Sequence, residues 1–228
     1  MISIALDGPA GAGKSTIAKA LSAKFGFVYV DTGALYRAIG KHMLDHGIAP
    51  SDARNVVPKL KDISVELRYV NGEQRVILND RDVSGEIRTQ EVSSAASQVS
   101  AIKEVRDFLF FLQQDIAKKN NVMMDGRDIG TVVLPNATLK IFLTATPEDR
   151  ARRRFLDLQA AGDTTPYEEV LRSVIQRDYD DSHREVAPLK QAEDAILVDT
   201  TGETKEASLE RLEVLIREEL AKRVSSKE

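Results

Sequence analysis

Gly8-Pro9-Ala10-Gly11-Ala12-Gly13-Lys14-Ser15 is the stretch that decides the fold of this 228-residue chain. It follows a short apolar run, Ile2–Leu6, and it precedes a helical pattern in which Ile17, Leu21 and Phe25 recur. In that strand–loop–helix context, the pattern G-x-x-x-x-G-K-[ST] is typical of a phosphate-binding loop. Its glycines let backbone N–H groups close around phosphate oxygens, and the helix adds its positive N-terminal end. A chance glycine-rich turn is the alternative, and the coincidence of strand, loop and helix argues against it.

The loop predicts a site for a nucleoside triphosphate. Lys14 would reach the β- and γ-phosphates, and the Ser15 hydroxyl would ligate Mg²⁺. The candidate triphosphate-binding residues are Gly8, Pro9, Ala10, Gly11, Ala12, Gly13, Lys14, Ser15 and Thr16. By itself the loop leaves the use of the phosphate open.

The composition excludes several classes of function. The apolar share of 42% and the charged share of 30% are ordinary for a globular protein with one substantial core. The formal net charge is −4, so a nucleic-acid partner, which favours an excess of base, is not expected. The absence of cysteine excludes disulfides, thiolate metal sites and cysteine nucleophiles. No apolar run approaches the ~20 residues that span a bilayer, and no signal-type segment opens the chain, so a cytoplasmic protein without membrane contact is expected.

The spacing of apolar residues predicts an α/β fold. Helical stripes with spacings of three and four run from Ile102 to Ile116 and from Leu209 to Leu220. Short apolar runs between such helices predict a five-stranded parallel sheet flanked by helices, with ligands beyond the carboxyl ends of the strands. The five predicted strands are Ile2–Leu6, Phe27–Val30, Val122–Met124, Leu139–Leu143 and Ala195–Val198.

One segment has the period of two that is typical of an antiparallel hairpin. Apolar residues alternate with polar ones from Ile63 to Tyr69 and again at Val76 and Leu78, and Asn71-Gly72 lies between the two runs. Such a hairpin does not belong inside a parallel core, so we predict an inserted lobe over residues 32–100. The arginine-rich helical stretch 148–187 is predicted to be a lid. Residues 1–31, 101–147 and 188–228 would form the core of a single unit, 1–228, with Ser225 to Glu228 frayed.

Charged residues cluster where two predicted strands end. In Asp31-Thr32-Gly33-Ala34-Leu35-Tyr36-Arg37, Arg37 could be directed at a phosphate, and a helix N-cap with a surface arginine is an equal alternative. In Asp125-Gly126-Arg127-Asp128-Ile129-Gly130-Thr131, Asp125 is placed to bind the Mg²⁺ shell, and Arg127 could clamp a phosphate. Asp128 could accept from an exocyclic amine such as N4 of cytosine. A local Arg–Asp ion pair that caps a turn is the alternative for this second segment.

The predicted lid carries arginines at helical spacing. Arg150, Arg153 and Arg154 share one helical face, and Arg177, Asp181 and Arg184 share another. Such runs usually form a solvated helix surface. Beside a phosphate-binding loop they favour a phosphoryl-transfer site instead, because charge on the transferring group needs stabilising.

Together these residues resemble the bacterial cytidylate kinases, a branch of the nucleoside monophosphate kinases. The resemblance rests on Asp31 to Arg37, Asp82 to Thr89, Asp125 to Thr131 and Val186 to Leu189, which follow in the family's order and extend from Met1 to about Asp199. It implies a phosphate-binding-loop kinase core with an inserted monophosphate-binding lobe and a helical lid. It also implies phosphorylation of CMP and dCMP by ATP with Mg²⁺, in a protein expected to be monomeric.

The resemblance also implies roles for single residues. Thr32, Arg106 and Asp128 would read the cytosine, and Ser97, Arg177 and Asp181 would hold the sugar. Tyr36 would line the monophosphate pocket. Arg37, Arg127 and Arg184 would hold the acceptor phosphate, and Lys14, Arg127 and Arg184 would be catalytic. Many relatives have serine at the position of Thr32, and the hydroxyl is kept.

Overall fold

The sheet of the core is parallel throughout. The computed structural model of the chain describes residues 1–225, so most of the predicted frayed end lies outside the described residues. The five predicted strands are confirmed, with small shifts at their ends, in the order β2-β6-β1-β7-β8. They are β1 (Ser3–Asp7), β2 (Val28–Asp31), β6 (Val122–Gly126), β7 (Leu139–Thr144) and β8 (Ile196–Asp199). The phosphate-binding loop leaves the carboxyl end of β1, the central strand, which pairs with β6 and β7.

Helices cover both faces of this sheet. The predicted stripes become α5 and α8, whose inward faces bury Val105 and Leu109 in the first and Leu212 and Ile216 in the second. The helices are α1 (Lys14–Phe25), α2 (Thr32–Asp45), α3 (Ala53–Lys59), α4 (Gln90–Ser100), α5 (Lys103–Lys119), α6 (Pro147–Ala160), α7 (Tyr167–His183) and α8 (Lys205–Ser225). The chain also contains a 3₁₀ turn, Leu60–Asp62, and a π-helical turn, Ile129–Val133.

The predicted hairpin is confirmed and belongs to a second, antiparallel sheet. Strands β3 (Val65–Val70) and β4 (Glu73–Leu78) pair with Tyr69 opposite Gln74. Asn71 and Gly72 have φ angles of 52° and 79°, as a type I′ turn requires. A two-residue strand, β5 (Arg81–Asp82), follows a second pair of positive-φ residues, Asn79 and Asp80, and was not predicted.

The apolar core is divided into separate clusters. One contains residues of the hairpin, α2, α4 and α5, and two others surround the parallel sheet. A fourth, small cluster joins α6 to α7 through Ala151, Val170 and Val174. The segment predicted as a lid is therefore a helical pair with its own small core. Among the described residues, no helix is long and apolar enough to cross a membrane.

Candidate active site

The phosphate-binding loop has a backbone that only glycine tolerates at key positions. Gly8 has a φ of 149°, and a Cβ built there would lie 1.9 Å from the carbonyl oxygen of Leu143. Gly13 caps α1 in the left-handed conformation. Gly8 and Pro9 do not line the cleft beyond the loop, whereas Ala10 to Thr16 do. Gly8 and Pro9 therefore contribute to the conformation of the loop without lining the cleft.

Lys14 and Ser15 connect the loop to the end of β6. The Lys14 ammonium is buried and donates to the carbonyl oxygen of Pro9 at 2.8 Å. Burial, together with repulsion from Arg127, lowers the pKa of Lys14 to about 7. The Ser15 hydroxyl donates to Oδ2 of Asp125 at 2.7 Å, which joins the two residues that were predicted to bind Mg²⁺.

Asp125 is an unusually situated carboxylate. It is buried, and burial, reinforced by the neighbouring Asp31, raises its pKa to about 6. The Tyr29 hydroxyl lies near the carboxylate, yet Oδ1 is buried and accepts no hydrogen bond of good geometry from the described residues. A buried, unpaired carboxylate oxygen beside a hydroxyl is an arrangement that suits a hard cation.

A second aspartate fixes the turn after β6. Asp7, at the end of β1, accepts hydrogen bonds from the backbone N–H groups of Ile129 and Gly130 at 2.8 and 2.7 Å. Burial nevertheless raises the pKa of Asp7 to about 6. These bonds hold the segment that carries Arg127 and Asp128 against the central strand. The sequence analysis did not assign Asp7, although it immediately precedes the loop.

Arg106 and Asp128 form a buried ion pair in the lining of the cleft. Arg106 also donates to the carbonyl oxygen of Ser100 at 3.1 Å, and its guanidinium lies 5.4 Å from the centre of the Tyr36 ring. Arg184 approaches the other oxygen of Asp128 at 3.8 Å. Thr32 donates its hydroxyl proton to the carbonyl oxygen of Asp125 at 2.8 Å, so its lone pairs remain available as acceptors. All three residues that were predicted to read a base, Thr32, Arg106 and Asp128, therefore line the same cleft.

The remaining predicted residues surround the middle of the cleft. Arg127 donates to Asp181 of α7 at 2.8 Å, so the local pair within Asp125 to Asp128 that we considered is not formed. Asp31 caps α2, as one of the two alternatives for that segment predicted. Arg37 is not a surface arginine, since it pairs with Asp31 at 2.7 Å and lines the cleft. Ser97 of α4 lines the same cleft.

Arg177 has no carboxylate partner among the described residues. Burial, and then repulsion from Arg127, lowers its pKa to about 10. Its Nε, like Nε of Arg37 and Nη2 of Arg184, is buried without a hydrogen-bond partner in the part of the chain that is described. Unsatisfied buried donors are costly, so this cleft is electrostatically suited to an anion.

The spacing of Arg150, Arg153 and Arg154 predicted one shared face of α6, but these three arginines make separate sets of contacts. Arg150 is buried and pairs with both carboxylate oxygens of Asp178 on α7, and it donates to the carbonyl oxygen of Ala10 in the loop at 2.9 Å. Arg153 pairs with Asp149 at 2.7 Å. Arg154 instead donates to the neutral amide of Gln90 at 2.5 Å and has no carboxylate within ion-pair distance among the described residues.

Most of these side chains line a single cleft of about 710 Å³, and Asp7 and Arg150 are not part of its lining. Ten cationic side chains and six carboxylates line it, a local excess of four positive charges in a chain whose net charge is −4. Such focusing favours polyanionic ligands. Within the described residues, no cluster of three or more His, Asp or Glu side chains could hold a metal by itself.

Comparison with known proteins identifies the family. The family model described as cytidylate kinase matches residues 4–218. The chain belongs to the cytidylate kinase family. It is 50% identical over 211 residues to a cytidylate kinase of Caldicellulosiruptor bescii, covering 92% of this chain and 93% of that one. It is 49% identical to a cytidylate kinase of Carboxydothermus hydrogenoformans, covering 94% and 97% of the two chains. The resemblance inferred from the motifs is thus confirmed, and the chain is a nucleotide-binding kinase.

A structural likeness supports the fold alone. An uncharacterized protein from Eubacterium ventriosum superimposes with a TM-score of 0.51 at 11% identity, covering 95% of this chain and 99% of that one. Several residues of the cleft were not predicted to have a role, among them Arg88 and Gln90. Arg88 and Gln90 lie in or beside a motif that we quoted, but their partners, Asp31 and Arg154, are 57 and 64 residues away in sequence.

Proposed function

We propose that this chain transfers the γ-phosphoryl group of ATP to CMP and dCMP, with Mg²⁺, to give CDP and dCDP. The observation that carries the proposal is the buried Asp128 carboxylate between Arg106 and Arg184, in a cationic cleft that begins at the phosphate-binding loop. Family membership supports a cytidylate acceptor, and the loop supports a triphosphate donor.

Base selection follows from hydrogen-bond polarity. A carboxylate has about four acceptor sites, so Asp128 can still accept from N4 of cytosine beside its two arginines. Thr32 adds a second acceptor, since its proton is already donated to the carbonyl of Asp125. Uracil presents an oxygen at the same place and would set two acceptors against each other, which a buried site penalises.

The acceptor phosphate would lie among Arg37, Arg127 and Arg184. Each of the three already has a carboxylate or carbonyl partner, which orients the guanidinium before substrate arrives. Ser97, Arg177 and Asp181 would contact the sugar. Tyr36 would line this pocket as a neutral phenol, because burial raises its pKa to about 12.

The residues around Ser15 and Asp125 fit Mg²⁺. The hydroxyl and the buried carboxylate supply hard oxygen ligands, and Asp125 has an oxygen to spare. Two protein ligands suffice for a cation that also binds substrate phosphates and water. When bound, Mg²⁺ would neutralise part of the charge on the triphosphate.

The chain's own side chains would then do the catalytic work by positioning. The nucleophile is an oxygen of the acceptor phosphate, which is largely ionised at pH 7 because its second pKa is about 6, so no general base is needed. Lys14 binds the donor phosphates, and Arg127 and Arg184 cancel repulsion between the two polyanions. Of Arg150, Arg153 and Arg154, Arg154 best suits the transferring group, because its only hydrogen-bond partner among the described residues is a neutral amide.

The division into moving parts belongs to the same proposal. Residues 32–100 would form the monophosphate-binding insert and residues 148–187 the lid, around a core of 1–31, 101–147 and 188–228. The separate apolar cluster between α6 and α7 supports a lid that moves as a unit. Closure would exclude water that could otherwise take the phosphoryl group.

Product analysis tests the proposal. Incubation with ATP, Mg²⁺ and CMP should yield CDP and ADP in equal amounts, separated by anion-exchange chromatography. ADP formed without CDP would indicate an ATPase and would contradict the assignment, and so would phosphorylation of AMP or shikimate but not of CMP.

A further inference from the structure

Strand β2 is an edge strand, and the hairpin bonds to its exposed edge with side chains. The Tyr69 hydroxyl donates to the carbonyl oxygen of Tyr29 at 3.0 Å. The Gln74 amide accepts from the N–H of Asp31 at 2.9 Å and donates to the carbonyl oxygen of Asp31 at 3.4 Å. Three polar groups of an edge that would otherwise need water are therefore satisfied by two side chains.

The geometry of both strands makes these contacts mutually dependent. Tyr69 and Gln74 are directly opposite each other in the β3–β4 pair, so their side chains leave the same face of the hairpin. Tyr29 and Asp31 are two residues apart in β2, so their backbone groups face the same edge. One cross-strand pair of side chains therefore bonds to two successive outward-facing residues of the edge strand. We call Tyr69 and Gln74 the hairpin clamp.

The clamped residue organises the arginines of the cleft. The side chain of Asp31 is 4% exposed, accepts from the N–H of Ala34 at 3.0 Å and thereby caps α2. Its other oxygen holds Arg37 at 2.7 Å and Arg88 at 3.2 Å. A displacement of Asp31 would therefore move the start of α2 and both guanidinium groups together.

We propose that the hairpin clamp positions Asp31 for binding of the acceptor phosphate, so that Tyr69 and Gln74 are positioning residues for the monophosphate. This inference rests on the proposed function. It gives the inserted hairpin a role in acceptor affinity, although neither clamp residue lines the acceptor cleft. The competing explanation is that the hairpin only covers a sheet edge and contributes stability.

The test compares two double variants of the full chain. Tyr69→Phe/Gln74→Ala removes the clamp bonds. Arg68→Gln/Arg75→Gln is the matched control, because Arg68 and Arg75 are the next cross-strand pair and bond to Glu66 and Glu73 within the hairpin. Steady-state kinetics with CMP and ATP, thermal unfolding, and hydrogen exchange of the Asp31 amide by NMR are measured for each protein.

We expect the clamp variant to raise KM for CMP about tenfold, as expected for the loss of a few net hydrogen bonds, with KM for ATP and kcat within about twofold of wild type. The Asp31 amide should exchange faster, and the control should match wild type. Unchanged KM for CMP despite faster exchange would overturn the inference. So would equal changes in both KM values and kcat that follow a lower Tm. Wild-type protein that does not phosphorylate CMP would instead contradict the proposed function, on which the inference rests.

Discussion

Asp128 and Arg106 form an ion pair in the lining of the cleft, and both side chains are under 10% exposed. The same carboxylate faces Arg184 at 3.8 Å. A carboxylate held by two arginines presents hydrogen-bond acceptors to the cleft. Its orientation is set before any ligand binds, which is what selection between an amine and a carbonyl on a pyrimidine requires.

Substitution of Asp128 should therefore impair the use of CMP, the phosphoryl acceptor, more than the binding of ATP, the phosphoryl donor. We expect Asp128→Ala to lower kcat/KM for CMP about a hundredfold, as for a lost hydrogen bond to a charged group, and to leave the Kd for ATP within about twofold. Asp128→Asn supplies an amide donor and should narrow the preference for CMP over UMP at least about tenfold. Kinetics and ATP titration calorimetry measure both effects. Asp157→Ala, at another aspartate of the cleft, is the control, and equal losses for CMP and ATP would mean that Asp128 is only structural.

Arg184 should matter for turnover rather than for folding. It has a buried Nη2 without a hydrogen-bond partner among the described residues, and its Nε donates to the carbonyl of Ala187 at 2.7 Å. Arg184→Ala should lower kcat roughly 10³-fold, the lower range for an arginine that stabilises phosphoryl transfer, while circular dichroism stays that of wild type. Arg172→Ala, at an exposed position of α7, should be unaffected. Unchanged turnover in Arg184→Ala would remove this residue from the site.

Arg150 and Arg154 should respond in opposite ways. Arg150→Ala leaves Asp178 without its partner and frees the carbonyl of Ala10, so the free energy of unfolding should fall by about 3 kcal/mol or more. Arg154→Ala should leave the Tm within a few degrees and lower kcat. Thermal unfolding and single-turnover rates separate the two effects. If Arg154→Ala kept wild-type turnover, another group would have to contact the transferring phosphoryl group.

Binding of ATP at alkaline pH should be accompanied by uptake of a proton at Lys14. Burial and Arg127 lower the pKa of Lys14 to about 7, so at pH 8 much of the free protein carries a neutral amine, whereas unfolded lysine stays charged to pH 10. Triphosphate favours the ammonium form, so its affinity should decrease from pH 7 to pH 9. Calorimetry at pH 8 in buffers of different ionisation enthalpy measures the uptake. Equal heats in all buffers would mean that Lys14 is already charged.

The sequence predicted the fold well where one period or one motif controls the backbone. The five parallel strands, the stripes of α5 and α8 and the Asn71-Gly72 turn are local patterns, and each is confirmed. Strand β5 was missed because a strand of two residues is too short to show an alternation of apolar and polar residues. The π-helical turn Ile129–Val133 was missed because its position depends on Asp7, which is over 120 residues away.

The site was predicted less completely, because contacts between distant helices leave no local signal. The spacing of Arg150, Arg153 and Arg154 places all three on one face of a helix. Nevertheless Arg150 is buried against Asp178, a residue of a different helix. The clamp of Gln74 on Asp31 likewise joins two elements that sequence spacing cannot pair. Family motifs supplied the roles of Ser97, Arg106 and Arg177, which remain predictions.

Specificity for the base of the acceptor is measured with a panel of nucleoside monophosphates under one set of conditions. CMP, dCMP, UMP, AMP and GMP are each assayed with saturating ATP and Mg²⁺, and kcat/KM is determined for each acceptor. We expect the highest kcat/KM values for CMP and dCMP. The value for UMP should be lower by at least about tenfold, the factor that a loss of 1.4 kcal/mol of hydrogen bonding gives. A panel led by AMP or GMP, or one in which UMP equals CMP, would contradict this expectation.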